Sequence, residues 1–293
     1  MKIFYKDGMC EEGEAKLPIF SSAVQFGITP FEGIGVYKIS DNLYRILDGK
    51  RHIDRLYKSA QALDIAFNLE PSRVSSALVE YVRYFVTQNH CDFTMRVLLV
   101  PEIGGWGGDL SANLAIKGLA RDPERRDKNL IASVVGVERI SFNNIDPTVK
   151  VGANYLNSRY AMLEAKELGT DVAIFLDRSG FVCEAMGSGV GFIDRHGTIF
   201  FTVTEHGKLD SITRHRIRSI PGLVFEDKFI QPTDMNNFSA CFLYGTALEV
   251  TPVINIKTTN QLFEFDVEIA RGLCEKYFED IGRLKLGDID VPL

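Results

Sequence analysis

Lys150 stands in a run of small residues directly before an amphipathic helix, in the stretch DPTVKVGANYLNSRYAMLEAKELG. Most lysines are solvated surface groups, which is the ordinary interpretation. The neighbours Val151, Gly152 and Ala153 carry little side-chain bulk, so a large group can approach the amine. A lysine amine that is removed from water is a nucleophile able to form a Schiff base with a carbonyl. Tyr155, at the start of the helix, can donate a hydrogen bond to the same ligand.

Glu184 is the second candidate for chemistry. It follows apolar residues in the run FVCEA, where the alternation of a strand puts it on the same face as Val182. A buried carboxylate is costly unless it meets a partner, and the alternative is a surface glutamate on an edge strand. On a buried face the carboxylate can pair with the protonated nitrogen of a heterocycle. Three glycines follow it and allow backbone to lie flat against a ring, namely Gly187, Gly189 and Gly191.

Three further stretches carry groups that suit a phosphate. In SITR, the backbone N–H groups of Ile212 and Thr213 and the Thr213 hydroxyl lie at a predicted helix start. Thr246 follows a glycine in YGTALEV, and Arg55 in HIDRL can bind a phosphate through two N–H groups. Each has an ordinary alternative, a helix cap without a ligand or a surface salt bridge. Together with a candidate nucleophile and a candidate ring-nitrogen acceptor, they are the components of a pyridoxal phosphate site.

Composition excludes several other classes of protein. The net charge of -6 argues against binding to nucleic acid or to an anionic membrane, since both require a positive field. The five cysteines and five histidines are scattered, without CxxC or HExxH spacing, so we expect no metal site. The N-terminal stretch MKIFYKDGMCEEGEAK lacks the apolar core of a signal peptide. These features predict a cytoplasmic protein whose thiols stay reduced.

Hydrophobic periodicity predicts an α/β protein of two domains. We expect a small N-terminal domain over 1–118, a linker over 119–129 and a larger C-terminal domain over 130–293. The charged run RDPERRDK at 121–128 is interpreted as solvated, and the glycine-rich stretch 102–111 as a flexible loop.

Particular elements can be predicted from the same patterns. GIGVYKI and NLYRILD form a hairpin, as do DVAIFLD with FVCEA and GVGFID with TIFFT. Helices are predicted in RHIDRLYKSAQALDI, in PSRVSSALVEYVRYFVTQNH, from about Tyr155 to Leu168, in SITRHRIRSI and in FDVEIARGLCEKYFEDI. ACFLYGTALEVTPV is predicted to be one strand.

Taken in order, a set of stretches resembles the fold type IV (class IV) pyridoxal phosphate enzymes, most closely the branched-chain aminotransferases. They are FEGIGVY, HIDRLYKSA, KVGANYLNSRYAMLEAKELG, DVAIFLDRSGFVCEA, SITR and GTALEVTPV, and they extend from about residue 20 to residue 255. The resemblance implies a two-domain α/β (α+β) fold and a homodimer. It also implies ping-pong transfer of an amino group between an amino donor and a keto-acid acceptor or related carbonyl.

The resemblance implies a role for each matching residue. Lys150 would hold pyridoxal 5'-phosphate as a Schiff base and move the substrate proton. The other implied cofactor contacts are Tyr155 to the ring 3-oxygen, Glu184 to the pyridine nitrogen, Leu209 to the ring face, and Arg55, Ile212, Thr213 and Thr246 to the phosphate. The implied substrate-binding residues are Phe31, Gly33, Thr94, Arg96, Thr246 and Ala247.

Four positions depart from the family pattern. Gly35 stands where the family has an arginine, Thr94 where it has the tyrosine of a Tyr-x-Arg pair, and Phe26 where a tyrosine is common. Gly189 replaces the usual asparagine. Loss of one cation and two phenols should open the pocket and change how it binds a carboxylate. This leads to the hypothesis of a non-standard acceptor, a keto acid that is bulkier or less usual than a branched-chain one.

Other functions remain open at this point. Aminodeoxychorismate lyases share the fold, although NYLNS and GTALEVTP look like the aminotransferase versions of these motifs. D-amino acid aminotransferases share it too, and HIDRLYKSA would suit them equally well. A non-catalytic paralogue that acts as a binding or scaffold protein is the alternative from a different class. The intact Lys150, Glu184 and Arg55 argue against it.

Overall fold

The computed structural model describes all 293 residues, and the predicted α/β class is confirmed. The chain separates into two compact units. The first consists of Met1–Asp122, Val149–Ala153 and Leu284–Leu293, and the second of Pro123–Thr148 and Asn154–Arg283. The domain ranges predicted from the sequence, 1–118 and 130–293 with a linker over 119–129, remain a prediction. None of the helices is both long enough and apolar enough to cross a lipid bilayer.

The first unit is an antiparallel sheet covered on one face by helices. Its strands are β1 Lys2–Tyr5, β2 Gly8–Glu11, β3 Phe31–Ser40, β4 Leu43–Ile46, β5 Ile65–Ala66, β6 Phe93–Pro101, β7 Leu110–Ala120 and β17 Ile289–Pro292. Its helices are α1 Ser22–Phe26, α2 Gly49–Ala62 and α3 Pro71–Gln88. The strands follow the order β17-β4-β3-β6-β7-β1-β2, and β5 pairs with β7 in parallel.

Alternation along β3 decides which side chains face the helices. Ile34 and Val36 point to the face where α2 and α3 pack, and both belong to the core. Phe31, Gly33 and Gly35 therefore point to the opposite face, which we call the open face of the first sheet.

The C-terminal strand β17 completes the edge of this sheet. It pairs antiparallel with β4, and Val291 is fully buried in the core. The guanidinium of Arg45 donates to both carboxylate oxygens of Asp290, at 2.7 and 3.1 Å. A strand contributed from the end of the chain thus joins a sheet that is built from its beginning.

The second unit is a mixed sheet in the order β10-β9-β8-β15-β14-β11-β12-β13, with β16 paired to β15. Its strands are β8 Leu130–Val134, β9 Val172–Leu176, β10 Val182–Ala185, β11 Gly189–Ile193, β12 Ile199–Thr202, β13 Phe225–Lys228, β14 Ala240–Gly245, β15 Glu249–Lys257 and β16 Leu262–Glu264. Its helices are α4 Tyr155–Glu167, α5 Ile212–Arg218 and α6 Val267–Ile281. Short 3-10 helices lie at Glu12–Glu14, Pro123–Asp127, Gly152–Asn154 and Pro232–Asn237.

The predicted helices and hairpins are confirmed, and two local predictions are wrong. ACFLYGTALEVTPV is not one strand, because β14 and β15 pair antiparallel around a turn at residues 246–248. The glycine-rich loop ends at Asp109, since Leu110 and Ser111 already pair with β5.

Gly189 and Gly191 of β11 lie beneath aromatic rings of β14. Gly189 is the cross-strand partner of Tyr244, and a β-carbon on Gly189 would overlap the Tyr244 ring. Tyr244 therefore fills the space that an asparagine at position 189 would occupy. Glycine in place of asparagine at position 189 therefore leaves no open space, because the Tyr244 ring takes up the volume.

We expect Gly189→Ala to lower the free energy of unfolding by about 2 kcal/mol, because the methyl group overpacks this contact. Urea titration followed by circular dichroism measures the change. Gly272→Ala is the matched control, since nothing lies within 4 Å of its added carbon and it sits inside α6. Alanine there should be neutral or stabilising by up to about 1 kcal/mol. Equal stability of Gly189→Ala and the wild type would contradict the assigned packing.

Candidate active site

Lys150 lies on a segment that is hydrogen-bonded to the start of β3. The Phe31 N–H donates to the Lys150 carbonyl at 3.0 Å, and Pro30 forms an isolated antiparallel bridge with Val151. The Lys150 N–H donates to Ser59 Oγ at 3.1 Å. Its Nζ lies 4.7 Å from the centroid of the Phe31 ring, within cation–π distance. The backbone of the lysine is thus fixed, and its amine is held against an aromatic face.

The small residues after Lys150 have a structural reason. Gly152 N–H donates to Thr29 O, and Ala153 N–H donates to Gly27 O, both at 3.0 Å. A β-carbon on Gly152 would lie 3.1 Å from the Gly27 carbonyl oxygen. The glycine therefore permits two backbone segments to approach closely, whereas the sequence suggested only room for a ligand.

Helix α2 presents a polar stripe made of His52, Arg55 and Ser59. These residues are spaced i, i+3 and i+7, so they share one helical face. Arg55 forms two ion-pair hydrogen bonds with Glu32 of β3, Nε to Oε1 at 2.7 Å and Nη2 to Oε2 at 2.8 Å. His52 Nδ1 lies 2.7 Å from Glu32 Oε2. One helix thus anchors both the Lys150 segment and the predicted phosphate-binding arginine.

Glu32 is completely buried, and its charge is balanced by two neighbours. Burial opposes its ionisation, but the Arg55 guanidinium and His52 outweigh burial and lower the pKa of Glu32 to about 2. The carboxylate therefore holds Arg55 in one orientation. Sequence analysis did not select Glu32 or His52, although an acid inside the apolar run FEGIGVY signals a buried partner. Phosphate binding by Arg55 remains a prediction.

Four predicted substrate-binding residues lie on the open face of the first sheet. Gly33 is the cross-strand partner of Arg96, and Thr94 Cγ2 lies 3.9 Å from a β-carbon built on Gly33. The Arg96 guanidinium lies 4.9 Å from the centroid of the Phe31 ring and is exposed to solvent. Phe31, Gly33, Thr94 and Arg96 thus share the face against which Lys150 Nζ rests. Their contact with substrate remains a prediction.

The space beside Gly35 is filled, contrary to the expectation of an opened pocket. A β-carbon on Gly35 would lie 2.8 Å from Tyr37 Cε2 and 3.1 Å from Arg121 Nη2. Arg121 is only 8% exposed, so it is not part of a solvated run as its sequence context suggested. The Tyr37 phenol and the Arg121 guanidinium occupy the volume that a side chain at position 35 would fill.

In the second unit, Glu184 is buried on the edge strand β10. It is 8% exposed, which excludes the surface alternative. Arg139 Nε donates to Glu184 Oε1 at 2.5 Å, and Arg139 Nη1 donates to Asn157 Oδ1 at 2.9 Å. The paired guanidinium offsets the cost of burying the carboxylate. Sequence analysis missed Arg139, which lies 45 residues before its partner.

Tyr155 begins α4 and lies beside the glycine turn after β10. A β-carbon on Gly187 would be 4.0 Å from Tyr155 Cε1, and Gly187 has a φ of +82°. That left-handed conformation is unfavourable for residues with a β-carbon, so glycine is required by the turn. The Tyr155 ring therefore lies beside Gly187, which has no side chain that could contact it.

Helix α5 begins at the predicted phosphate-binding residues. Ser211 caps it by accepting a hydrogen bond from Arg214 N–H at 3.3 Å. The helical hydrogen-bonding pattern leaves the N–H groups of Ile212 and Thr213 without an intrahelical acceptor. Both residues are buried, and Leu209 just before them is half-buried.

Thr246 and Ala247 lie in the turn between β14 and β15. Glu249, directly after the turn, has a φ of +59° and is buried. Arg125 binds its carboxylate through two hydrogen bonds, Nε to Oε2 at 3.0 Å and Nη2 to Oε1 at 3.2 Å. This ion pair stabilises a backbone conformation that a glutamate rarely adopts.

The donor groups fit pyridoxal phosphate by their chemistry. The first unit offers a lysine amine and an arginine fixed by a buried carboxylate. The second offers a buried carboxylate, a phenol beside a glycine turn, and helix N–H groups next to a hydroxyl. An aldehyde, a ring nitrogen, a ring oxygen and a phosphate each find a suitable group among these.

Comparison with known proteins agrees with this chemistry. The family described as Amino-transferase class IV matches residues 30–256. A putative branched-chain-amino-acid aminotransferase of Methanocaldococcus jannaschii is 30% identical over 98% of both chains. The branched-chain-amino-acid aminotransferase of Escherichia coli K12 is 25% identical over 93% of this chain and 87% of its own.

Solved structures show the same likeness. The crystal structure of a branched-chain aminotransferase from Thermoproteus uzoniensis with norvaline has a TM-score of 0.87 at 27% identity, and the match covers 96% of this chain and 95% of that one. The branched-chain amino acid aminotransferase from Thermobaculum terrenum in its PLP-bound holo form has a TM-score of 0.86 at 25% identity, covering 96% and 94%. The chain therefore belongs to the class IV aminotransferases and is a pyridoxal-phosphate-dependent aminotransferase.

Proposed function

We propose that this enzyme transfers the amino group between branched-chain amino acids and 2-oxo acids in two ping-pong half-reactions. The proposal is carried by Lys150, whose backbone is anchored on both sides and whose amine lies against Phe31. Bound pyridoxal phosphate supplies a carbonyl for the amine and an electron-withdrawing ring. Lys150 Nζ would hold the cofactor until an amino donor displaces it, and the freed amine would then accept and return the proton of the substrate Cα.

The other residues bind and orient. Arg55, Thr213 and Thr246, with the N–H of Ile212, hold the phosphate. Glu184 would accept a hydrogen bond from the protonated ring nitrogen, and its ion pair with Arg139 holds the carboxylate in place. Tyr155 donates to the ring 3-oxygen, and Leu209 packs on the ring.

The substrate-binding residues that we propose lie in separate stretches of the sequence. Phe31, Gly33, Thr94 and Arg96 contribute from the open face of the first sheet. In the second unit, the Thr246–Ala247 turn offers backbone N–H groups to a carboxylate. Branched-chain substrates are supported by the names of the relatives and by the filled space beside Gly35 and Gly189, which leaves less room for a bulkier acceptor than the sequence suggested.

The substrate class can be tested with a panel of 2-oxo acids and glutamate as donor, scored by the absorption change of the bound cofactor. We expect 2-oxoisovalerate to be turned over at least about tenfold more efficiently than 2-oxo acids with aromatic or much longer side chains. A preference for the bulkier acids would restore the hypothesis of a non-standard pocket. Pyruvate release without any amino acceptor would instead indicate a lyase.

The assembly we propose is a homodimer in the cytoplasm. Helix α4 carries three exposed apolar side chains spaced i, i+4 and i+7, namely Leu156 at 60%, Tyr160 at 57% and Leu163 at 41%. Such a stripe is costly in water and suits coverage by a second copy of the chain, which light scattering detects. All five cysteines are free thiols, which supports a reducing compartment.

A further inference from the structure

Arg121 is held at the end of β7 by its backbone and by an aromatic ring. Its N–H donates to Asp92 O at 3.0 Å, beside the start of β6. Its guanidinium carbon lies 5.1 Å from the centroid of the Tyr37 ring. A planar cation stacked on an aromatic face has little freedom to reorient, so its position in the fold is specific.

That position is the one left by Gly35. Arg121 Nη2 lies 3.1 Å from the place of a β-carbon on Gly35, as described above. A guanidinium is therefore present beside β3 at this point, although it comes from a residue 86 positions later in the chain. Arg121 therefore supplies a positive charge where an arginine at position 35 would have supplied one.

The Arg121 guanidinium lies beside residues that are predicted to bind substrate. Gly35 and Gly33 point to the open face, where their cross-strand partners are Thr94 and Arg96. Gly35 and Gly33 are two residues apart on β3, which is roughly 7 Å along a strand. A small organic acid is about long enough to extend from the Arg121 guanidinium beside Gly35 to Arg96 opposite Gly33. At Gly33 the nearest atom to an added β-carbon is Thr94 Cγ2 at 3.9 Å, so the backbone is bare there and a ligand can lie beside it.

We propose that Arg121 is a specificity-determining residue that binds a carboxylate of the amino acid or 2-oxo acid. This inference rests on the proposed transamination of carboxylic acids. A guanidinium binds a carboxylate through two parallel N–H···O bonds, and an arginine fixed by stacking loses little entropy when it does so. The residue thus performs from the end of β7 a task that an arginine at position 35 would perform from β3.

The test compares 4-methylvaleric acid with its neutral amide, 4-methylvaleramide, by calorimetric titration of the cofactor-loaded protein. We expect Arg121→Met to raise the dissociation constant of the acid by roughly ten- to hundredfold and to leave that of the amide unchanged. Arg121→Lys keeps a positive charge and should stay within about tenfold of the wild type for the acid. Glutarate, which carries two carboxylates, shows whether the second one is recognised.

Arg73→Met is the matched control, because Arg73 also stacks on an aromatic ring in the first unit, 5.6 Å from Phe4. It should bind the acid as the wild type does. Equal weakening of acid and amide in Arg121→Met, or no weakening of either, overturns the proposal. If Arg121→Met does not fold, Arg121→Lys decides, since a loss common to acid and amide would again show a structural role. A wild type that binds neither probe contradicts the proposed function itself.

Discussion

Replacing Lys150 with alanine is expected to lower the rate of transamination by at least about a thousandfold. One amine performs two tasks in the proposed mechanism, holding the cofactor covalently and moving the substrate proton, so no neighbouring group compensates for its loss. Steady-state turnover of 2-oxoisovalerate with glutamate measures the effect. Lys166→Ala is the matched control, because Lys166 is an exposed residue of α4.

A second signal separates loss of chemistry from loss of folding. The wild type should show a visible absorption band that borohydride abolishes irreversibly, whereas Lys150→Ala should not become covalently labelled by cofactor and borohydride. Unfolding of the two proteins should differ little, since the contact of the amine with the Phe31 ring is worth roughly 1 kcal/mol. Labelling that persists in Lys150→Ala would place the reactive lysine elsewhere.

Glu32→Gln is expected to lower the free energy of unfolding by about 3 kcal/mol at pH 7. The substitution keeps the shape of the side chain but removes the negative charge that Arg55 and His52 share in a fully buried position. Arg55, whose side chain is 14% exposed, then lacks its anionic partner, and its orientation toward a phosphate should loosen. Urea unfolding measures the first effect, and the dissociation constant of the cofactor measures the second.

Glu80→Gln is the control for this substitution, since Glu80 is an exposed glutamate of α3 and should change stability by less than about 0.5 kcal/mol. A small effect of Glu32→Gln, comparable with that of the control, would show that the buried ion pair adds no net stability.

The stability difference between the wild type and Glu32→Gln should depend on pH in one direction. The pKa of Glu32 is lowered from 4.5 to about 2, because two neighbouring groups outweigh its burial. A carboxyl group with a lowered pKa stabilises the folded state fully above its unfolded pKa and loses that contribution as pH falls toward its folded pKa. The difference should therefore be constant from pH 7 to 5 and shrink below about pH 4.5. Unfolding titrations at pH 7, 5 and 4 test this.

Local features of the fold were predictable, whereas long-range pairings were not. Helix α3 follows from its apolar periodicity and from Pro71 at its first position, and the β9–β10 turn follows from Gly180. The parallel pairing of β15 with β8 joins segments more than a hundred residues apart, and nothing in either segment specifies the other. The hairpin of β14 and β15 was missed because Thr246 to Leu248 lack the glycine or proline that usually marks a turn.

Candidate site residues could be selected by type, but their partners could not. Lys150 and Glu184 stand out because their neighbours are small or apolar. Arg139, which balances Glu184, lies in a stretch of ordinary composition, since an ion pair requires only that two groups meet in three dimensions. Arg121 was not selected from the sequence because it stands at the start of a charged run. The role proposed for it depends on its contact with Gly35, which has no side chain.

The edge strand β17 has a consequence for how the chain is made. Ribosomes synthesise residues 289–292 after the other sixteen strands, so the sheet that begins with Lys2 cannot be completed until the second unit has been synthesised. All nine strands of the second unit have emerged or been polymerised before then. The first sheet therefore keeps β4 as an unpaired edge strand until residues 289–292 have left the ribosome.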